Sequence, residues 1–182
     1  GGASAFNAWG KTVTDQVEIC LIQMPGREER LNEKLVKDMP QLVDALAQEI
    51  SVFSKKPYAF FGHSMGAIVA YETARRLNAM GVNKPAHLFV SARAAPHLQK
   101  NTDLLRFLDD EAFVDKLQAT YGAVPEAVRQ NPEVRKIFLP ILRADVELLE
   151  TYDETSSEPL DLPISALGGI SDPAISRAQL EG

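Results

Sequence analysis

The chain holds a single cysteine, Cys20, among 182 residues. That excludes an internal disulfide framework and any zinc site built from several cysteines. Basic residues are in the minority, 19 Lys and Arg against 25 Asp and Glu, for a net charge of −6. Nucleic acid and anionic membranes attract a basic excess, so neither is an expected partner. No apolar run approaches the ~20 residues that a membrane helix needs, and no basic segment followed by a hydrophobic stretch opens the chain. A cytoplasmic location is expected, with no metal and no cofactor. Histidine is also scarce: the chain has three, and none lies beyond His97.

What remains is ordinary globular material, 45% hydrophobic and 24% charged. A chain of this size buries roughly 70% of its unfolded surface, enough for one self-sufficient core, so residues 1–182 are expected to form a single domain and a monomer. The run from Val17 to Gln23 is β-branched and apolar and ends at Pro25-Gly26, which reads as a buried strand. Leu35, Met39, Leu42, Val43, Leu46, Ala47 and Ile50 recur at helical spacing. Tyr58-Ala59-Phe60-Phe61 then gives a short strand, and Ala67, Ala70, Tyr71, Ala74 and Leu77 give a second helical stripe ending at Gly81. Further strands are read around Leu88-Phe89-Val90 and from Leu162 to Leu167. Strands alternating with amphipathic helices point to an α/β fold with a mostly parallel sheet covered by helices on both faces.

Residues 98–159 interrupt this alternation, because they carry helical patterns and no strand. They read as a helical lid inserted into the sheet domain. Asp109-Asp110-Glu111 supplies negative charge to the start of one helix running to about Thr120, where the helix dipole is positive. Asn131-Pro132 opens a longer helix that Pro140 should kink. Residues 153–158, with Ser156-Ser157, read as an exposed linker. Phe107, Phe113, Leu117, Phe138 and Leu142 could line an acyl pocket or form the lid's own core.

The chemistry concentrates in Gly62-His63-Ser64-Met65-Gly66, a G-x-S-x-G pattern set between a strand and a helix. Such a turn holds a serine in a strained backbone and presents its Oγ at a helix N-terminus. Gly62 and Gly66 are expected to be required because side chains there would collide. Ser64 is the candidate nucleophile, and the Met65 backbone N–H the candidate oxyanion donor. A serine hydroxyl needs a base, and that base needs an orienting carboxylate. Asp172, in the loop after Leu167-Gly168-Gly169-Ile170, is the candidate acid, and the Ser, Asp, His chain order of this arrangement would put the base later still. An alternative role for Asp172 is the N-cap of a helix starting at Pro173. His63 should point away from Ser64, His87 precedes a strand, and His97 borders the carboxyl end of a strand but comes before the acid.

Several ordered stretches resemble the type II, external editing thioesterases of nonribosomal peptide and polyketide synthesis, within the α/β-hydrolases. They are Gly1-Gly2-Ala3-Ser4-Ala5-Phe6, Gln23-Met24-Pro25-Gly26-Arg27-Glu28-Glu29-Arg30, Phe61 to Ala67, Ser91-Ala92-Arg93-Ala94-Ala95-Pro96-His97, Leu142-Arg143-Ala144-Asp145 and Gly168 to Pro173. The resemblance implies a Ser-His-Asp thioesterase that removes acyl groups from the phosphopantetheine arm of carrier proteins, with Ser64 as nucleophile and Asp172 as acid. It also implies that the histidine and a second oxyanion donor lie outside Gly1–Gly182. The chain opens without Met and stops just after a helix start, so it is expected to be a domain truncated at both ends and, without its base, nearly inactive.

Other readings of the same residues are a carboxylesterase or lipase, an acyltransferase with Arg93 as its substrate-binding arginine, and a non-catalytic carrier-docking module. A docking module would use Arg27, Arg30, Lys34, Arg75, Arg76 and Arg93 as a basic patch, against the reading of scattered solvated charges. Trp9 is expected to pack under the serine turn or at the entry, and Cys20 to be inert inside a strand.

Overall fold

A computed structural model describes residues 2–53, 55–98, 104–122, 124–154, 159–172 and 174–181. The chain divides into two compact units, Gly1–Val36 and Lys37–Gly182.

The first unit contains three short 3-10 turns, Ala3–Phe6, Trp9–Lys11 and Glu28–Arg30. The strand expected over 17–23 does not form. Val17 and Ile22 are 54% and 50% exposed, and the only strand pairs among the described residues lie elsewhere. A strand is stable only when a neighbour takes its backbone groups. Gln23, at the end of the run, is held by other bonds: its Oε1 accepts from Ala3 N at 2.9 Å, its Nε2 donates to the Arg27 carbonyl at 3.2 Å, and Arg30 donates to the Gln23 carbonyl at 2.8 Å. One smaller expectation changes with the strand: Cys20 is exposed. Trp9 sits edge-on against Phe6 with ring centroids 5.3 Å apart.

The second unit opens with α1 (Met39–Phe53), which starts later than the apolar stripe because Asp38 Oδ1 accepts the Gln41 N–H at 2.8 Å and fixes the entry. Its buried residues are Met39, Leu42, Val43 and Ala47. Next come β1 (Ala59–His63), α2 (Met65–Ala79) and β2 (His87–Ser91), a parallel βαβ unit in which α2 packs on α1 and on both strands. Gly81 takes φ +67 after α2, so the Val82 N–H reaches back to the Leu77 carbonyl at 3.1 Å and closes the helix. Strand β3 (Ile164–Leu167) pairs parallel with β2, giving the order β1-β2-β3.

Between β2 and β3 lies the helical insertion. It contains a 3-10 turn at Leu105–Phe107, α3 (Asp110–Tyr121), α4 (Glu126–Gln130) and α5 (Pro132–Glu150). Asp109 caps α3 through a 2.9 Å bond from Ala112 N, and Asn131 caps α5 through Glu133 N at 2.9 Å. Pro140 removes one N–H donor from α5, yet the helix continues through it unbroken. The linker read over 153–158 lies outside the described residues from Thr155 onward, as does Pro173. Helix α6 (Arg177–Leu180) is capped by Ser176. Among the described residues no helix is long and apolar enough to cross a membrane.

The insertion has its own core of Leu105, Phe113, Val114, Leu117, Val124, Val128, Leu139 and Val146, with Leu142 against it. Phe113, Leu117 and Leu142 therefore belong to the insertion's own core, whereas Phe107 and Phe138 are 73% and 43% exposed. Two side chains of α5 bracket the Leu105–Phe107 turn. Arg143 donates to the Leu108 carbonyl at 2.8 Å and to Asp110 at 2.7 Å, and Glu150 accepts from Leu105 N at 2.6 Å and Arg106 N at 3.3 Å. This gives the Leu142-Arg143-Ala144-Asp145 stretch a structural role.

Candidate active site

The carboxyl ends of the three strands face one side, and the chemistry-bearing residues follow those ends. Ser64 leaves β1 with φ 53 and ψ −115, a conformation that L-residues rarely adopt. Two backbone bonds hold it: Ser64 N donates to the Ser91 carbonyl at 2.8 Å, and the Ser64 carbonyl accepts from Ala67 N at 3.0 Å. Ser64 occupies the N-cap of α2 but makes no side-chain cap bond, so its Oγ is not spent on the helix. Met65 is the first residue of α2, and its N–H is among the amides that a helix cannot satisfy internally.

Gly62 explains how the turn closes. A Cβ there would lie 2.5 Å from the Gly66 carbonyl carbon and 2.7 Å from Ala67 Cα, and closer still to the Gly66 carbonyl oxygen. All three are backbone atoms that cannot step aside. Gly66 differs, because a Cβ on it meets nothing within 4 Å among the described residues. Only the first glycine of the pattern is required on these steric grounds. The second lies in the first turn of α2, where an added methyl points into open space.

Asp172 follows β3 and is half-buried. Its Oδ1 accepts from Ala174 N at 2.9 Å and Ile175 N at 3.2 Å, which fixes the carboxylate in the loop. Among the described residues the next helix starts at Arg177 behind its own Ser176 capping box, and the helix start read at Pro173 lies outside them. Gly168 packs close under Leu180 of α6, and Ala95 N donates to the Gln179 carbonyl at 3.0 Å, so α6 holds the loops after β2 and β3 together. Ser64 and Asp172 thus follow β1 and β3, two inter-strand steps or about 10 Å apart at the strand ends.

Among the described residues none of the three histidines is hydrogen-bonded to Ser64 or Asp172. His63 is exposed, with Nδ1 3.1 Å from Ser91 Oγ. His87 is the first residue of β2, stacked on Phe89 and 2.9 Å from Ser165 Oγ. His97, in a 3-10 turn at Pro96–Leu98, lines a hollow of about 220 Å³ with Pro96, Tyr152, Asp153 and Glu154. Arg93 is half-buried, and burial lowers its pKa while Tyr121 and Tyr152 oppose that shift. It is not a surface charge of a docking patch. Arg76 pairs with Asp44 at 2.6 Å as a solvated surface charge would, whereas Arg75 pairs with Glu72 at 3.4 Å and both of those side chains are largely shielded from water.

Ser91-Ala92 has a role that its sequence does not announce. The Ser91 carbonyl and hydroxyl hold Ser64 and His63, and Ala92 then turns at φ 50 while its N–H donates to the Leu167 carbonyl at 2.9 Å. The signal available was position, directly at the carboxyl end of the strand beside the serine turn.

A family model described as "Thioesterase domain" matches residues 1–180. The gramicidin S biosynthesis protein GrsT of Aneurinibacillus migulanus is 40% identical over 181 residues, covering 100% of this chain and 70% of that protein. Among solved structures, the RedJ thioesterase from the prodiginine pathway of Streptomyces coelicolor superposes with a TM-score of 0.90 at 36% identity, over 100% of this chain and 67% of that one. The type II thioesterase YbtT of the yersiniabactin nonribosomal peptide and polyketide pathway gives 0.82 at 34% identity, over 100% and 74%.

Proposed function

The chain belongs to the thioesterase domain family, whose reaction is hydrolysis of a thioester, and we propose that its substrates are acyl groups on the phosphopantetheine arm of carrier proteins. The reaction then serves editing of a nonribosomal peptide or polyketide synthase. Two relatives support this assignment: YbtT is a type II thioesterase of such a pathway, and GrsT serves gramicidin S biosynthesis.

In this reading Ser64 Oγ attacks the thioester carbonyl, the Met65 N–H receives the developing oxyanion, and the pantetheine thiol leaves. Water then hydrolyses the acyl-serine. Asp172 orients the base that takes and returns the Ser64 proton. The bonds made by His63 and His87, and the place of His97 beside Tyr152, support a base supplied from outside these 182 residues. The observation that carries the reading is Ser64 itself: a strained residue at a helix N-cap that makes no capping bond, next to an orphan helix amide.

The test is turnover by the full-length protein on an acyl-phosphopantetheinyl carrier protein and on a p-nitrophenyl ester, with Ser64→Ala beside it. Preference for the carrier thioester supports editing. Fast ester turnover with the carrier substrate neglected marks an esterase, and no Ser64-dependent turnover on either marks a docking module.

A further inference from the structure

Helix α2 carries more than the serine turn at its start. Tyr71 and Glu72, adjacent residues two turns beyond Ser64, both reach the segment that leaves the insertion after α5. The Tyr71 hydroxyl donates to Glu154 Oε1 at 3.1 Å, and the Tyr152 hydroxyl donates to Glu72 Oε1 at 2.6 Å. Each side gives one tyrosine and one glutamate, so the two bonds run in opposite directions. A single bond would let the segment swivel, whereas a crossed pair fixes both its position and its rotation. Arg75, one turn further along α2, stands 3.4 Å from Glu72 and 5.7 Å over the Tyr71 ring. It anchors the acceptor of one bond and the donor of the other.

The surroundings strengthen these bonds. Glu72 and Arg75 side chains are only 18% and 19% exposed, and a charged acceptor shielded from water binds its donor more tightly than an exposed one. Burial raises the pKa of both tyrosines, with Glu154 adding to it at Tyr71 and Glu72 at Tyr152, so each hydroxyl keeps the proton it donates. Tyr152 and Glu154 also line a hollow with Pro96 and His97, in the loop that follows the carboxyl end of β2.

We propose that Tyr71, Glu72, Tyr152 and Glu154 form a crossed clasp that fastens the carboxyl-terminal root of the lid to α2, and that these four positioning residues set the access of the thioester to Ser64. The inference rests on Ser64 as the nucleophile. Because α2 is a rigid rod that begins at the serine turn, a lid rooted on it keeps a fixed relation to Ser64. Cutting the clasp frees the lid root without touching a reacting atom. The substrate then meets a wall that is no longer held in place, and its binding weakens while the bond-making geometry stays intact.

The test uses the full-length protein with Tyr71→Phe and Tyr152→Phe combined, which deletes two hydroxyls and keeps both rings. KM for an acyl-carrier thioester should rise on the order of tenfold with kcat within about twofold of the parent. Amide exchange over residues 148–154 should quicken by a similar factor while α1 is unchanged. The swapped pair, Tyr71→Glu with Glu154→Tyr, should restore KM, because it rebuilds the bond in the opposite direction. The clasp is overturned if the double variant keeps both its KM and its exchange, if kcat falls with KM unchanged, or if the swap behaves like Tyr71→Phe alone. Failure of the underlying reading is separable: Ser64→Ala would then retain turnover, and the access role falls even if exchange over 148–154 still responds.

Discussion

Replacing Gly62 by alanine puts a methyl carbon 2.5 Å from the Gly66 carbonyl carbon and 2.7 Å from Ala67 Cα. Ordinary contact between such atoms is about 3.5 Å, so the first turn of α2 must retreat from the end of β1 by about 1 Å. The obstructing atoms are backbone, and no rotamer change relieves them. Overpacking of this kind costs about 3 kcal/mol, which in a chain of this size lowers Tm by about 6–12 °C. The same displacement moves Ser64 and the Met65 amide relative to the substrate, and a 1 Å misplacement costs about 10²-fold in rate. Gly66→Ala supplies the control. Nothing lies within 4 Å of the added methyl, and the position is helical. Alanine there should be neutral or stabilise by up to about 1 kcal/mol. Thermal denaturation by circular dichroism and thioester turnover read both variants. If Gly62→Ala melts within 2 °C of the parent (against the ~6–12 °C expected) and keeps more than about half its turnover, or if Gly66→Ala is the more damaging change, the steric account of the turn is wrong.

Three further outcomes follow from the same structure. Asp172→Asn keeps an oxygen to accept the Ala174 and Ile175 amides, so stability should hold while kcat drops by about 10³–10⁴-fold; calorimetry and steady-state kinetics check the two halves. Ala92→Gly relieves a residue at φ 50, and after the added freedom of the unfolded chain is counted it should raise stability by about 0.5–1 kcal/mol in a urea titration. Tyr152 holds its proton more tightly in the folded chain than its ordinary pKa of 10.0, first through burial and then through Glu72. Its contribution is complete below pH 10.0 and is lost as pH rises above that value, because only the unfolded chain then ionises. Urea midpoints measured from pH 8 to 11 (below and above tyrosine's ordinary ~10) should fall more steeply for the parent than for Tyr152→Phe.

Elements whose signals are local were legible in the sequence. The stripes of α1 and α2, the capping residues Asp109 and Asn131, and the strand before Gly62 depend on neighbours within a turn or two. The serine turn was legible for the same reason, since five consecutive residues specify it. Val17–Gln23 shows the limit, because β-branched composition states a capacity for strand, and no strand pairs with this run among the described residues. Gly66 shows another: a motif records that a residue is small, while the structure shows whether anything would collide with a larger one. Phe113 and Leu117 could have lined a pocket or filled a core, and only the placement of Val128, Leu139 and Val146 around them decides for the core. The Tyr–Glu pairs join residues about eighty positions apart, and no local pattern announces them.

The central claim is that Ser64 carries the acyl group. Brief reaction of the full-length protein with an acyl-carrier thioester, acid quenching and peptide mass mapping would measure this directly. The acyl mass is expected on the peptide containing Ser64, with none in Ser64→Ala and a loss of turnover in that variant on the order of 10³-fold or more. An acyl adduct on another residue, or Ser64→Ala turning over at the parent rate, would contradict it.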